Sequence, residues 1–302
     1  MKILLATDGS ESARAATCFL EQFPFPRGSS VTVLTVVDEE FFNPEAAGPL
    51  EEDQRQLLRD AERAVREEGE RLLEAEAECL RKTGWEGSGM VRTGSPANEI
   101  VRAAEEIDAD LVVIGSKGVT GISRFLLGSV SHQVMEYAPC SVLIVKPKEA
   151  SGESDADAEK IWRILLAFDD SEPSRKAVDL CASLPLGEHA EVTALTVMPM
   201  VRMYRQDIRQ ELNPIWQQKT HAAHETLDET VKAVHWATPK VSVQLRESAD
   251  ASHGILEAAR ELDSDLILLG NKGRRAIKRF LLGSVTHHVA RHAGCAVWIV
   301  RG

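Results

Sequence analysis

Lys2-Ile-Leu-Leu-Ala-Thr-Asp8-Gly-Ser10-Glu returns 161 residues later as Arg163-Ile-Leu-Leu-Ala-Phe-Asp169-Asp-Ser171-Glu. Val31-Thr-Val-Leu-Thr-Val-Val37 returns at the same offset as Val192-Thr-Ala-Leu-Thr-Val-Met198. Further on, Ala109-Asp-Leu-Val-Val-Ile-Gly115-Ser-Lys-Gly118 returns as Ser264-Asp-Leu-Ile-Leu-Leu-Gly270-Asn-Lys-Gly273, now with an offset of 155. Self-similarity on this scale marks a duplicated structural unit. The second copy lacks six residues in its middle, and a chain of 302 residues has room for two domains with separate cores.

The apolar runs are short and rich in Val, Ile and Leu, and amphipathic stretches separate them. That pattern predicts buried parallel strands joined by crossover helices, an α/β fold. Strands are expected near 2–7, 31–37, 88–93, 110–115 and 141–146, and again near 163–168, 192–198, 241–246, 265–270 and 296–301. Ser10 and Ser171 stand where helix N-caps belong, and Pro173 suits a first turn. From Glu51 to about Lys82, Leu58, Ala61, Val65, Leu72 and Leu80 recur at helical spacing, as do Trp216, Ala223, Leu227, Val231 and Val234. The polar stretch from Pro147 to Glu159 lacks periodicity and reads as a linker, so the domains are expected at 1–147 and 161–302 with 148–160 between them.

Composition narrows the function. With 43% hydrophobic and 27% charged residues the chain has an ordinary folded composition. A formal charge of −12 argues against sequence-independent binding to nucleic acid or anionic lipid. No apolar run reaches the ~18 residues of a membrane span, and Met1 leads straight into a strand, so a cytoplasmic protein is expected. Five scattered cysteines, with no paired framework, are expected to be reduced thiols.

Each half carries Gly-x-x-Gly, nine residues, then Gly-Ser: Gly115, Gly118, Gly128 and Ser129, and Gly270, Gly273, Gly283 and Ser284. Each segment opens at the C-terminal end of a predicted strand, where open parallel sheets take ligands. Glycines let the backbone approach phosphate oxygens, and a Gly-Ser helix start offers N–H donors to an anion. No acidic residue lies between Gly115 and Met135, where Lys117 and Arg124 do. None follows Leu266, where Lys272, Arg274, Arg275, Lys278 and Arg279 crowd the second glycine segment. Asp8 could favour the start of the following helix, hold Mg²⁺ beside a triphosphate, or do both.

These motifs, with Ala-x-Asp-x-Ser after the first strand, resemble the universal stress protein family over nearly the whole chain. The resemblance implies two tandem Rossmann-like domains of the adenine nucleotide alpha hydrolase-like kind, each a five-stranded parallel sheet of order 3-2-1-4-5. It implies ATP with Mg²⁺ as cofactors. Ala6, Thr7 and Asp8 would then face ribose and phosphate, Val37 and Ile114 the adenine, and Gly115, Gly118, Gly128, Ser129, Val130 and Ser131 the phosphates. Their counterparts are Phe168, Asp169, Met198, Leu269, Gly270, Gly273, Gly283, Ser284, Val285 and Thr286. It further implies that the last strands of the halves pair as an intramolecular pseudo-dimer, with a homodimer as an option. Two departures bear on the second site: Asp170 stands where the first copy has Gly9, and Ala249-Asp250-Ala251 replaces Gly94-Ser95-Pro96.

Histidine pairs His221/His224 and His288/His292 have helical spacing but no evident third ligand, so the sequence assigns them no metal. Neither a Walker loop nor a Gly-x-Ser-x-Gly elbow is present. The expected function is therefore an ATP-binding regulatory module, with slow hydrolysis at most. The alternatives are a nucleotide-hydrolysing enzyme related to ATP pyrophosphatases and a scaffold with empty sites.

Overall fold

The computed structural model describes residues 1–39, 51–118, 127–147, 160–200, 206–273 and 282–301. The chain divides into two compact units, Met1–Pro147 and Lys148–Gly302. In the first, the order is β1 (Lys2–Ala6), α1 (Glu11–Gln22), β2 (Ser30–Asp38), α2 (Glu52–Lys82), β3 (Glu86–Gly94), α3 (Pro96–Glu106), β4 (Leu111–Gly115), α4 (Ser129–Tyr137) and β5 (Ser141–Val145). The strands are all parallel and lie in the order β3-β2-β1-β4-β5, as the resemblance implied. The second unit repeats this with β6 (Trp162–Ala167), α5 (Glu172–Ser183), β7 (Ala190–Pro199), α6 (Gln206–Val234), β8 (Val241–Ser248), α7 (Ala251–Glu261), β9 (Leu266–Gly270), α8 (Ser284–His292) and β10 (Ala296–Val300). Its order is β10-β9-β6-β7-β8, again parallel.

Helices cover both faces of each sheet. In the first unit α1 packs on β4 and β5 while α2 packs on β2 and β3; α3 and α4 lie together on the other face. Central strands buried on both sides have no polar face to show, which is why they read as unbroken apolar runs. Leu111, Val112 and Val113 are fully buried, as are Leu266, Ile267 and Leu268. β1 lies between β2 and β4, so Ala6 pairs with Leu34 on one side and Ile114 on the other. The chain leaves β1 toward one face and β4 toward the other, and the crevice between those strand ends is the topological switch point.

Strand pairing refines the repeat. Asp38 pairs with Gly94 and Pro199 with Ser248, so the third strands correspond at an offset of 154 rather than 155. The second copy is seven residues shorter before this strand and regains one just ahead of α7. The long helix of the second unit also begins earlier than its apolar pattern, running from Gln206 across Pro214. That proline removes one i→i−4 hydrogen bond from the ladder.

Candidate functional site

The β1–α1 turn forms one wall of the site. Asp8 Oδ1 accepts the Ser10 N–H at 3.0 Å, and Ser10 Oγ caps α1 by accepting the Ala13 N–H at 3.2 Å. The same hydroxyl donates to the Lys117 carbonyl at 3.2 Å, tying the turn to the glycine segment. The second unit keeps the same framework: Asp169 Oδ1 accepts the Ser171 N–H at 3.1 Å and Ser171 Oγ accepts the Ser174 N–H at 3.3 Å, but the Ser171 hydroxyl, 3.3 Å from the Lys272 carbonyl, has its nearer acceptor in Asp169 Oδ1 at 2.6 Å. Gly9 turns the chain at φ +72°, and Asp170 does so at φ +61°. Asp is among the few side chains that tolerate this left-handed conformation, which explains how the substitution is borne. Its carboxylate is held by Arg175, with Nε at 2.9 Å and Nη2 at 2.7 Å.

The glycines of the shared signature have different physical jobs. A Cβ on Gly115 would lie 2.6 Å from the Ser12 carbonyl carbon, and one on Gly270 would lie 2.6 Å from that of Pro173. These two glycines therefore let α1 and α5 sit directly on the ends of β4 and β9. A Cβ on Gly118 would meet Asp8 Oδ2 at 2.8 Å, and one on Gly273 would meet Asp169 Oδ2 at 2.7 Å. This pair makes room for the site carboxylate. Gly128 and Gly283 are the N-caps of α4 and α8, at φ −64° and −69°. Each donates its N–H back to the segment it closes, to the Ser116 and Asn271 carbonyls, both at 2.8 Å.

At the start of α4 the cap has no side chain, and no acidic residue occupies the first turn. The contrast with α1, whose Ser10 closes its own N-terminus, is plain. First-turn amides at Ser129 and Val130 have no intrahelical acceptor, so the helix presents N–H donors and a partial positive charge toward the crevice. Ser131 differs: it is buried and its Oγ donates to the Gly115 carbonyl at 2.7 Å, as Thr286 does to Gly270 at 2.9 Å. Those hydroxyls brace the helix against the strand end rather than face the crevice.

Ala6, Thr7, Val37 and Ile114 are buried at the strand ends, with Phe168, Met198 and Leu269 in the equivalent places. Two residues escaped the sequence reading. Thr35 and Thr196 donate to the Thr7 and Phe168 carbonyls at 3.1 and 3.0 Å, holding the residue just past the first strand of each unit against the second strand. Each is a threonine inside an apolar strand at the same repeat position, a signal that was available. Arg124, Arg274, Arg275, Lys278 and Arg279, and the linker 148–159, lie outside the described residues. Among the described residues no group of three or more His, Cys, Asp or Glu is placed to hold a metal ion, and no helix is long and apolar enough to cross a membrane.

A parallel sheet with helices on both faces, and a carboxylate turn beside a helix N-terminus that carries no side-chain cap at its switch point, defines a duplicated, doubly wound α/β module. Sequence comparison places it more narrowly. The profile of the Universal stress protein family matches residues 1–146 and 161–301, and the chain belongs to that family. It is 26% identical to a universal stress protein of Mycolicibacterium smegmatis, over 99% of this chain and 96% of that one. One half is 36% identical to universal stress protein MJ0531 of Methanocaldococcus jannaschii, covering 49% of this chain and 84% of the relative. The crystal structure of a universal stress protein from Archaeoglobus fulgidus shares the fold, with a TM-score of 0.65 and 20% identity over 99% of this chain and 98% of that one.

Proposed function

We propose that each half binds an adenine nucleotide, ATP with Mg²⁺, and that the protein acts in the cytoplasm as a regulatory stress-response module rather than as an enzyme with rapid turnover. The observation that carries this reading is the duplicated pairing of Asp8 with Gly118, and of Asp169 with Gly273, opposite an uncapped helix N-terminus. Backbone donors at Ser129 and Val130, on a helix start whose Gly128 has no side chain in the way, suit phosphate oxygens. Asp8 is of the right chemistry to hold a magnesium ion, whose hard oxygen ligands are carboxylates and phosphates. Buried Val37 and Ile114 give a flat aromatic base an apolar bed, and Met198 and Leu269 do so in the second half.

The same geometry argues for binding over chemistry. Near the crevice the hydroxyls of Ser10 and Ser131 are both engaged with backbone groups, and neither is paired with a histidine as an activated nucleophile would be. Mass spectrometry of the small molecules released on denaturing purified protein, with a thermal scan of nucleotide-free protein in millimolar Mg·ATP, tests the proposal. An adenine nucleotide in the supernatant and a raised melting temperature are expected, since a ligand bound at a hundredfold over Kd adds about 2.7 kcal/mol. No released nucleotide and no shift would overturn it.

A further inference from the structure

In each half the apolar bed at the end of the second strand continues onto the third. Val37 pairs with Thr93 and Met198 with Glu247, and neighbours in register share one face of a parallel sheet. Thr93 accepts a hydrogen bond of 2.6 Å from Arg66 Nη2 on α2, whereas Glu247 Oε1 accepts the indole N–H of Trp216 on α6 at 3.2 Å. The offset that relates the third strands places Thr220, not a cation, where the first half has Arg66. Thr220 has other contacts: its hydroxyl donates to the Trp216 carbonyl at 3.0 Å and lies 3.9 Å from Met198 Sδ. Each half therefore carries one charged group beside the bed, a guanidinium in the first and a carboxylate in the second. Among the described residues neither has an ion-pair partner.

These two side chains have opposite hydrogen-bonding capacity, because a guanidinium offers only donors and an ionised carboxylate only acceptors. Their place in the sheet says which part of a nucleotide they would meet. With phosphates at the start of α4 beside β4, and the base on β2, the ligand runs outward along the strand order and presents to β3 the base edge farthest from its phosphates. In adenine that edge carries the ring acceptor N1 and the exocyclic amine. On the nucleotide reading above, on which this inference rests, we propose that the halves have unlike base specificities: Glu247, positioned by Trp216, makes the second half selective for a base with an exocyclic amine, while Arg66 makes the first half read a ring acceptor. A hydrogen bond to a charged group, when lost, weakens binding by about tenfold to a hundredfold.

Calorimetric titration of the nucleotide-free full chain with Mg·ATP and with the Mg²⁺ complex of purine riboside triphosphate, which keeps N1 but lacks the amine, tests the inference. ATP should fill both sites, while the analogue should fill one with similar affinity and the other about tenfold more weakly or worse. Glu247→Thr, matching Thr93 of the first half, should lower ATP at the selective site to the affinity of the analogue. Arg66→Met should weaken both ligands at the other site. Glu247 is exposed, so its substitution leaves the packing intact, and the comparison of ligands on the wild type needs no variant. Equal binding of the two ligands at both wild-type sites overturns the unlike specificities and leaves the nucleotide reading standing, as does an ATP affinity that Glu247→Thr does not change. Binding of neither ligand overturns both.

Discussion

Asp8 Oδ2 lies against the bare α-carbon of Gly118, so close that a Cβ there would be 2.8 Å from it. Gly118→Ala must therefore displace the carboxylate. Asp8 is exposed and can swing aside, so the stability cost should stay below about 1 kcal/mol, while Mg·ATP affinity in the first half falls. Gly115→Ala should do the reverse, because its Cβ meets backbone at 2.6 Å and backbone cannot swing. That overpacking should cost about 1–3 kcal/mol. Urea melts and calorimetry on the two variants separate the roles, and equal losses of stability would refute the division.

Gly128→Asp tests the open helix end. The backbone there has an ordinary φ of −64°, and the nearest atoms to a Cβ are Lys117 Cα and the Ser116 oxygen at 3.4 Å. Asp is a favoured N-cap, so the fold should survive. A carboxylate about 4 Å from a phosphate repels it by roughly 4 kcal/mol at an effective dielectric near 20. Nucleotide stoichiometry should drop by the first site alone, and Gly283→Asp should remove only the second. Unchanged stoichiometry and affinity in Gly128→Asp would show the glycine segment to be purely structural.

Asp250 caps α7 by accepting the His253 N–H at 3.0 Å and a hydrogen bond from Ser252 Oγ. Asp250→Ala should cost about 1 kcal/mol near neutral pH. The Ser252 hydroxyl, then the His253 amide, lower the folded carboxyl below its usual value. A depressed folded pKa means that the stabilisation is present above the unfolded value of about 3.9 and vanishes as pH falls through the folded one. Melts of wild type and variant should therefore converge in acid. A gap that persists at pH 2 would show that the cap acts by something other than its charge.

Cys79 donates from its thiol to Glu21 at 2.9 Å, and this hydrogen bond is the main reason its pKa is pushed up to about 11. The thiolate is then roughly a hundredfold scarcer than at the unshifted value of 9.0. Higher intrinsic nucleophilicity recovers part of that deficit, leaving alkylation about tenfold slow at pH 8. Glu21→Gln should restore the rate at Cys79 by about that factor. Cys181, which burial alone pushes to about 12, should stay unlabelled in the native protein of either form. Peptide mapping after iodoacetamide reads both, and equal Cys79 rates would remove Glu21 from the account.

The order of elements was legible because doubly covered parallel strands announce themselves as short Val, Ile and Leu runs, and duplication let each run check its counterpart. Val31–Val37 and Val192–Met198 are one pattern seen twice. The long second-unit helix was legible only from Trp216 onward, since Pro214 interrupts the ladder that local propensity rewards. Ser131 and Thr286 read as crevice residues because they follow a glycine helix start. Their inward turn depends on the Gly115 and Gly270 carbonyls, sixteen residues earlier in each chain segment.

By itself the sequence determined two parallel α/β units, their strand count, and a glycine segment at one strand end in each, because hydrophobic period and repeat offset are local properties. Only the tertiary structure divided labour among those glycines. Gly115 is required by a helix that begins a hundred residues earlier, and Gly118 by the carboxylate of Asp8. It likewise set Cys79 on Glu21 across 58 residues. Such pairs are chosen by the close packing of elements distant along the chain, and a contact that costs nothing until the chain folds leaves no period in the sequence to be read.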